Sequence, residues 1–369
     1  MRPRTASDPS PAANPYGTLP PQAFWRTGVA EAGVWGLSGL WRSRWVLPAD
    51  ARFSTFGSCF AQHISRALQA RKFNWFNAEP APARSPAALA TAYNYGVFSA
   101  RTANVYTAAQ LLTLVRLAAG EDAAEAAEFW PTPEGRWLDS LRPTIEPDGF
   151  ASRDEALLSR RSMIRAFARS IAEAQVFVFT MGLTEGWENR ETGQVYPLCP
   201  GTAGGVFDPE RHLFRNYSYP EIRAQMDNTL TLMRRLNPDI KVLLTISPVP
   251  LTATASGQHV LVATTHSKSV LRAVAGDMVA ADPGLDYFPS YEIIMGAPAR
   301  YAFFEPNLRS VAPQGVEVVM SHFFAGLDCS APPLHAPDTA HEAEVAMERQ
   351  MAEADLVCEE LLLERQNGN

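Results

Sequence analysis

The residues with the clearest chemical potential lie in the stretch RFSTFGSCFA, at positions 52–61, where Ser58 and Cys59 directly follow Gly57. An apolar run typical of a strand precedes the glycine, and apolar residues at helical spacing follow the cysteine. A hydroxyl on such a strand–turn–helix can act as a nucleophile, because the first N–H groups of a helix lack partners and can stabilise an oxyanion. We therefore predict Ser58 as a nucleophile whose own backbone N–H contributes to the oxyanion site. The alternative is a serine that only caps the helix.

Cys59 is the competing nucleophile. A thiol at the start of a helix can have a lowered pKa and react as a thiolate. Its aromatic neighbours Phe56 and Phe60 instead favour a buried thiol that packs as a small apolar group. We therefore expect Ser58 rather than Cys59 to carry the chemistry.

A serine nucleophile needs a base, which is normally a histidine. His259 opens a helical segment after SPVPLTAT and is expected at the mouth of the predicted sheet, so it is the predicted base. His322 lies in VVMSHFF, a helical stretch that could bury it, and is the second candidate. A third interpretation is that the site has no base and no longer does the chemistry. The seven histidines of the chain are His63, His212, His259, His266, His322, His335 and His341.

Composition limits the class of protein. Hydrophobic residues make up 46% of the 369 residues and charged ones 19%, a balance typical of a globular chain. The formal net charge of −7 gives nucleic acid no general electrostatic reason to bind. No apolar run approaches the length of a membrane-spanning helix, and the N-terminal residues lack the apolar centre of a signal peptide. We therefore predict a cytoplasmic protein that binds neither membrane nor nucleic acid.

The cysteines predict neither disulfides nor a metal site. Four widely spaced cysteines in a chain without an export signal favour thiols, and these are Cys59, Cys199, Cys329 and Cys358. The sequence contains no CxxC or HxxxH spacing, so a zinc site has little support. We predict no cofactor and no metal.

The alternation of apolar runs with helical segments predicts an α/β fold. A helical stretch at 154–174 leads into AQVFVFTMG, a helix beginning at Ser218 leads into IKVLLTISP, and a helix over 259–281 leads into LDYFPSYEII. Strands that are apolar on both faces and alternate with helices imply a mostly parallel sheet flanked by helices. Ligands bind such sheets beyond the carboxyl ends of the strands, where polar clusters fall at 57–59, 182–185 and 247–250.

We divide the chain into a flexible N-terminus (1–15), an arm packed on the core (16–50), a main domain (51–326) and a C-terminal loop and helix (327–369). The arm contains Trp25, Trp35, Trp41 and Trp45, whose aromatic area is too large to leave in water. The segment 338–366 is helix-prone with a loose apolar face, and we expect it to pack on the core or on a second copy of the chain. A homo-oligomer is therefore among the expected partners.

The motif at residues 56–61, FGSCFA, resembles the motif that names the GSCFA family. The resemblance extends through YPLCPGT, FDPE, NPDIKVLLTISPVPLTAT, HSKSVLR and YFPSYEI, and covers roughly residues 20–326. The family is thought to be related to the SGNH (GDSL-type) hydrolases, a three-layer α/β fold that hosts esterases and O-acyltransferases. The resemblance thus implies a serine site that handles acyl groups, often on carbohydrate.

The same resemblance implies further site residues. In SGNH enzymes a Gly-x-Asn-Asp block follows a strand, and its asparagine donates to the oxyanion. Gly182 matches that block, while Thr184 and Glu185 replace its polar pair. The resemblance therefore implies Gly182 and Thr184 as oxyanion donors and Glu185 as the residue that orients a histidine. Asn77, in the strand-like run KFNWFNAE, is a further oxyanion candidate.

The base of SGNH enzymes lies in a late Asp-x-x-His block. The corresponding place here reads Asn307-Leu-Arg-Ser310, so neither the aspartate nor the histidine is present. This departure favours the alternative of a non-catalytic carbohydrate-binding or scaffolding protein on the same fold. The first prediction remains an acyl-ester hydrolase or O-acyltransferase that acts on O-acetyl groups of a carbohydrate or another acylated small molecule. Aromatic residues near the strand ends, suited to stacking on a sugar ring, are Trp187, Tyr196, Phe288 and Tyr291.

Overall fold

The computed structural model describes residues 14–327 and 361–364. Within them the strands are β1 (Phe53–Gly57), β2 (Phe129–Pro131), β3 (Trp137–Asp139), β4 (Val176–Met181), β5 (Glu185–Asn189), β6 (Val195–Tyr196), β7 (His212–Asn216), β8 (Lys241–Ile246) and β9 (Leu285–Phe288). The α-helices are α1 (Gly33–Gly36), α2 (Ala61–Ala70), α3 (Ala87–Ala92), α4 (Ala108–Ala118), α5 (Arg153–Ala172), α6 (Tyr219–Leu236), α7 (Val260–Ala281), α8 (Ser290–Met295), α9 (Pro313–Gly326) and α10 (Leu361–Glu364). Short 3-10 and π-helical turns precede α1, at Pro15–Thr18, Pro21–Ala23 and Arg26–Ala30.

A parallel sheet of four strands forms the centre, in the order β1-β4-β8-β9. On the free edge of β1, Trp75 makes an isolated parallel bridge with Phe53. The chain therefore leaves β1 towards one side of the sheet and later returns to its other side as β4. Such a reversal is the topological switch point of a doubly wound fold, and ligands bind at the carboxyl ends of the two diverging strands. The predicted α/β class with a parallel, helix-flanked sheet is confirmed.

The strand residues explain why helices cover both faces. In β4, Phe177 and Phe179 pack with α4, α5, α6 and α7, whereas Val176 and Val178 pack with α2, α8 and α9. Successive strand residues point to opposite faces, so an apolar run without polar breaks needs a helical layer on each side. The three-layer arrangement follows from this pattern.

Capping boxes, visible in the sequence as Thr-x-x-Gln and Ser-x-x-Glu, begin two of the helices. Thr107 and Gln110 form a capping box at α4, and Ser218 and Glu221 form another at α6. The run LDYFPSYEII, by contrast, is a strand only to Phe288 and continues as α8 after Pro289. Proline lacks the N–H that a strand ladder needs but is compatible with the start of a helix.

Two small antiparallel sheets were not predicted. One has the order β6-β5-β7 and extends from the end of β4, and the other pairs β2 with β3. Their strands have two to five residues, and the pattern of burial does not alternate cleanly along them. The run KFNWFNAE likewise contributes one bridge rather than a full strand.

The N-terminal segment contacts the main domain through its last residues. Trp41 packs edge-on against Phe288 and stacks on Phe323, and its indole N–H donates to Asp286 at 3.2 Å. Trp25 and Trp35 are 67% and 64% exposed, contrary to the expectation that all this aromatic area is covered. The predicted helix at 338–366 lies outside the described residues, apart from α10. No helix in the described ranges is long and apolar enough to cross a bilayer.

The end of β1 should tolerate no side chain at position 57. Gly57 has φ +139°, and an added Cβ would lie 2.4 Å from the carbonyl oxygen and 2.7 Å from the nitrogen of Thr180. We expect Gly57→Ala to lower the free energy of unfolding by about 3–5 kcal/mol, because backbone strain and overpacking add. Denaturant unfolding measures this.

Gly193→Ala is the matched control, since its φ is +70° but nothing lies within 4 Å of an added Cβ. We expect it to cost only about 1 kcal/mol. Equal losses for the two variants would contradict the close packing of β1 on β4.

Candidate active site

Ser58 lies at the carboxyl end of β1, in the turn that leads into α2. Its side chain is 3% exposed, and its Oγ has no hydrogen-bond partner among the described residues. The N-cap of α2 is Phe60, and no side chain caps this helix. Ser58 is therefore not the capping residue of α2, which was the alternative to a nucleophile. A buried hydroxyl without a partner is rare in native proteins and is found at catalytic sites and beside bound water.

The end of β4 lies directly against this serine. A Cβ on Gly182 would stand 3.1 Å from Ser58 Cβ and 3.1 Å from the carbonyl oxygen of Tyr106. Glycine is therefore the residue that lets the loop after β4 approach the nucleophile. The same Tyr106 oxygen accepts hydrogen bonds from the N–H groups of Gly182 and Leu183, at 3.0 and 2.9 Å.

Helix α7 holds this loop from the other side. Thr184 N–H donates to Ser267 Oγ at 3.0 Å, and Lys268 Nζ donates to the Gly182 oxygen at 2.7 Å. The Thr184 hydroxyl donates to Asn216 Oδ1 at 2.7 Å, towards the small sheet of β5–β7. The motif HSKSVLR therefore supplies two residues, Ser267 and Lys268, that contact the loop and were not singled out from the sequence. The helical pattern alone gives no sign that this lysine is buried.

The predicted oxyanion donors are engaged elsewhere. Ser58 N–H donates to the Thr180 oxygen at 3.1 Å, Gly182 N–H to Tyr106, and the Thr184 hydroxyl to Asn216. Each of these groups has a single proton to donate. In this conformation none of these three protons is free to donate to an oxyanion.

Asn104 supplies an amide that the sequence analysis missed. The next residue, Val105, donates its N–H to the Gly57 oxygen at 2.8 Å, and Gln62 Nε2 donates to Asn104 Oδ1 at 3.3 Å. Asn104 is buried, and it follows Ala103, whose φ of +58° is strained for a residue with a side chain. Nothing in the run RTANVYT marks such a conformation, so only the fold identifies this residue.

Asn77 occupies a different position. Its Oδ1 accepts a hydrogen bond from the Glu79 N–H at 3.2 Å, which makes an Asx turn in the segment after Trp75. No described contact joins Asn77 to Ser58. Asn104 differs from Asn77 in that the next residue, Val105, bonds to Gly57 directly before the serine.

A small cavity adjoins Asn104. It has a volume of about 20 Å³, which is room for about one water molecule. It is too small for a substrate. Its lining is Thr102, Asn104, Val105, Gln110, Thr113, Leu114, Leu141, Val195 and Pro197.

Glu185 begins β5, three residues after Gly182. Burial raises the pKa of its carboxyl, although hydrogen bonds from Thr254 and the Ala255 backbone and the charge of His266 oppose the shift. Thr254 Oγ1 donates to its Oε1 at 2.7 Å. Among the described histidines, the one whose charge acts on Glu185 is His266, which is exposed on α7. The histidine that Glu185 was expected to orient is therefore not identified as His259, which has no described contact with it.

None of the histidines in the described part of the chain hydrogen-bonds to Ser58 Oγ. His259 is exposed at the N-cap of α7, where its Nδ1 accepts from Leu261 N–H at 3.2 Å. His322 is half-buried on α9, and burial lowers its pKa. Burial, with the charge of Arg66 adding to it, lowers the pKa of His63 to about 3, which makes it a weak proton acceptor. His335 and His341 lie outside the described residues.

The segment in place of the Asp-x-x-His block is an exposed turn. Asn307 Oδ1 accepts from the N–H groups of Arg309 and Ser310, and its Nδ2 donates to Ser310 Oγ at 3.0 Å. The polar groups of the turn therefore bond to one another. It precedes α9 and provides no base.

The other predicted groups lie around these strand ends. Cys59 is half-buried, and burial raises the pKa of the Cys199 thiol to about 11. Trp187 packs against Phe207 and Phe214, with ring centroids 5.5 and 5.6 Å away. Tyr196 and Phe288 are buried in the core, so neither offers a face to a sugar. No three or more His, Cys, Asp or Glu side chains in residues 14–327 and 361–364 converge to hold a metal ion.

The fold and the site define an α/β protein with a buried serine at the switch point of a doubly wound sheet. A sequence model of the GSCFA family matches residues 52–323, which is most of the chain. The chain belongs to the GSCFA family, as the motif at 56–61 indicates. No curated protein matches it.

His259 should act as a helix cap rather than as a base. We expect His259→Ala to lower the free energy of unfolding by about 0.5–1 kcal/mol through loss of the cap. The reaction of Ser58 with a fluorophosphonate, which modifies activated serines, should be unchanged. Gln258→Ala, at an exposed neighbouring position, is the control. Loss of serine reactivity in His259→Ala, with the fold intact, would restore His259 as the base.

Proposed function

We propose that this protein is a serine-dependent acyl-ester hydrolase or O-acyltransferase. The observation that carries the proposal is the Ser58 hydroxyl, which is buried at the switch point, packed against Gly182 and without a partner in residues 14–327 and 361–364. Membership of the GSCFA family supports it, because the resemblance of that family to SGNH hydrolases implies acyl chemistry at this serine.

The reaction that suits this geometry has two steps. Ser58 Oγ attacks the carbonyl carbon of an ester and gives its proton to a water molecule, and the alcohol leaves with a proton from that water as the acyl-enzyme forms. Water or a second alcohol then attacks the acyl group, and Ser58 recovers its proton. Hydrolysis and transfer differ only in which of these two molecules attacks.

Asn104 is the proposed oxyanion donor in place of the four groups predicted from the sequence, which are Ser58, Gly182, Thr184 and Asn77. Gln62 Nε2 donates to its Oδ1, so the amide nitrogen is the group that would donate to an oxyanion. A side-chain amide that donates to a tetrahedral intermediate typically contributes a factor of about 10²–10³ to the rate. The strained Ala103 backbone that presents it is consistent with such a role.

The proposed substrate is an O-acetylated carbohydrate or another acylated small molecule. Trp187 is partly exposed on β5, two residues beyond Glu185, and its neighbour Phe207 is also exposed. Side chains at alternate strand positions share a face, so Trp187 lies on the same face of the small sheet as Glu185. An aromatic face there suits a sugar ring next to the reacting ester.

The second candidate function is a non-catalytic carbohydrate-binding or scaffolding protein. The observation that favours it is the turn at Asn307 and Ser310, which contains neither the aspartate nor the histidine of SGNH enzymes. On this alternative the buried serine would bind a ligand without forming an acyl-enzyme.

Covalent labelling separates the two functions. We expect a fluorophosphonate to add to one residue, located by mass spectrometry as Ser58, and the adduct to be absent from Ser58→Ala. An activated acetyl ester should be hydrolysed by the parent protein and at least about 10³ times more slowly by Ser58→Ala.

Cys59→Ala is the matched control, because it changes the adjacent residue and removes the competing nucleophile. Labelling should persist in this variant. Absence of any adduct on the folded parent protein would refute the enzyme and support the binding protein. An adduct on Cys59 would assign the chemistry to the thiol.

The two asparagines provide a second comparison. We expect Asn104→Ala to slow acetyl-ester hydrolysis by about 10²–10³-fold, since a donor to the oxyanion is lost. Asn77→Ala should keep the parental rate and lose at most about 1 kcal/mol of stability, the contribution of one turn hydrogen bond. The rate of acetyl-ester hydrolysis and the thermal unfolding of each variant test this comparison. A loss confined to Asn77→Ala would return the oxyanion site to the position predicted from the sequence.

A further inference from the structure

Lys268 is a buried lysine whose ammonium group contacts the backbone beside the nucleophile. It is 1% exposed on α7, and its Nζ donates to the Gly182 oxygen at 2.7 Å. Lysine is almost never fully buried without a specific partner, because its charge is costly to remove from water. Its placement at the switch point therefore calls for a reason connected with the site.

The distance to the serine is bounded by the contacts on either side of Gly182. A Cβ on Gly182 would lie 3.1 Å from Ser58 Cβ, so covalent geometry limits the separation of Lys268 Nζ and Ser58 Cβ to about 10 Å. At an effective dielectric constant of about 20, a unit charge at this distance lowers the pKa of an acid by about one unit.

We propose that Lys268 is a positioning residue that also brings a positive charge to the Ser58 site. Its hydrogen bond keeps Gly182 packed on Ser58, and its charge favours the negative charge that develops on the serine oxygen and on the oxyanion. The effect on catalysis, which is stabilisation of the oxyanion, rests on the proposed function. The effect of the lysine charge on the pKa of an acid at position 58 does not. Glu185, which begins β5 after this loop, and His266, whose charge acts on Glu185, are two further ionisable groups near it. A charged Glu185 would raise rather than lower the pKa of an acid at position 58, so it cannot replace the lysine.

The neighbouring Ser267 makes a matched control possible. Ser267 Oγ accepts from Thr184 N–H, so consecutive residues of α7 hold the same loop, one with a charge and one without. Removing either bond loosens the loop, but only a change at position 268 removes a charge.

The test measures the pKa of a thiol placed at position 58. In a Cys59→Ala background, Ser58→Cys introduces a thiol whose ionisation is read from thiolate ultraviolet absorbance as a difference from the parent that keeps Ser58. Adding Lys268→Met or Lys268→Gln should raise the pKa of that thiol by about one unit. Ser267→Ala and Lys268→Arg should leave it nearly unchanged. In the protein that keeps Ser58, Lys268→Met should slow fluorophosphonate labelling about tenfold.

An unchanged thiol pKa in folded Lys268→Met or Lys268→Gln would overturn the inference. A similar shift in Ser267→Ala would also overturn it, because the effect would then come from loosening the loop. Failure of both neutral variants to fold, with Ser267→Ala folded, would make Lys268 a folding residue and count against the proposal. If Ser58 of the parent takes no label, the proposed function fails, while the thiol measurement still decides the role of the charge.

Discussion

The close approach of the ends of β1 and β4 is the constraint on which the rest of the site depends. Gly57 and Gly182 are the residues that permit it, because a Cβ on either would meet backbone or the nucleophile itself. The parallel pairing of the two strands continues one residue beyond β1, where Ser58 N–H donates to the Thr180 oxygen. Ser58 is therefore positioned by the sheet rather than by the helix that follows it.

The loop before α4 and helix α7 hold the loop after β4 in place by hydrogen bonds to its backbone. The N–H groups of Gly182, Leu183 and Thr184 all have acceptors, two on Tyr106 and one on Ser267. A loop held at successive residues has little freedom to move, and a rigid support keeps a reactive group in its productive position. The loop before α4 and the first turns of α7 thus act on the same short segment, although they are far apart in sequence.

The sequence predicted those parts of the structure that depend on local pattern. The strands at residues 176–181 and 241–246 are mostly apolar, and the capping boxes at Thr107 and Ser218 mark their helices. Buried and exposed residues do not alternate cleanly along the short strands β5–β7, so the small antiparallel sheet that they form could not be predicted. Asn104 was missed because its place depends on a left-handed Ala103, and Lys268 because a lysine in a helical pattern is normally on the surface.

The hydrogen bonds at the ends of β1 and β4 explain why the proposed oxyanion donors differ from those that the resemblance to SGNH enzymes implies. A strand end with unpaired N–H groups can stabilise an oxyanion with its backbone, but here the N–H groups of Ser58 and Gly182 are bonded to carbonyl oxygens. These bonds hold the two strand ends together, so releasing them would loosen the contact that positions the serine. On the proposed function, the side chains that would assist an oxyanion are Asn104, whose Oδ1 accepts from Gln62, and Lys268, which donates to the Gly182 oxygen. The backbone hydrogen bonds that place Ser58 thus also remove the N–H groups of Ser58 and Gly182 from the expected oxyanion donors.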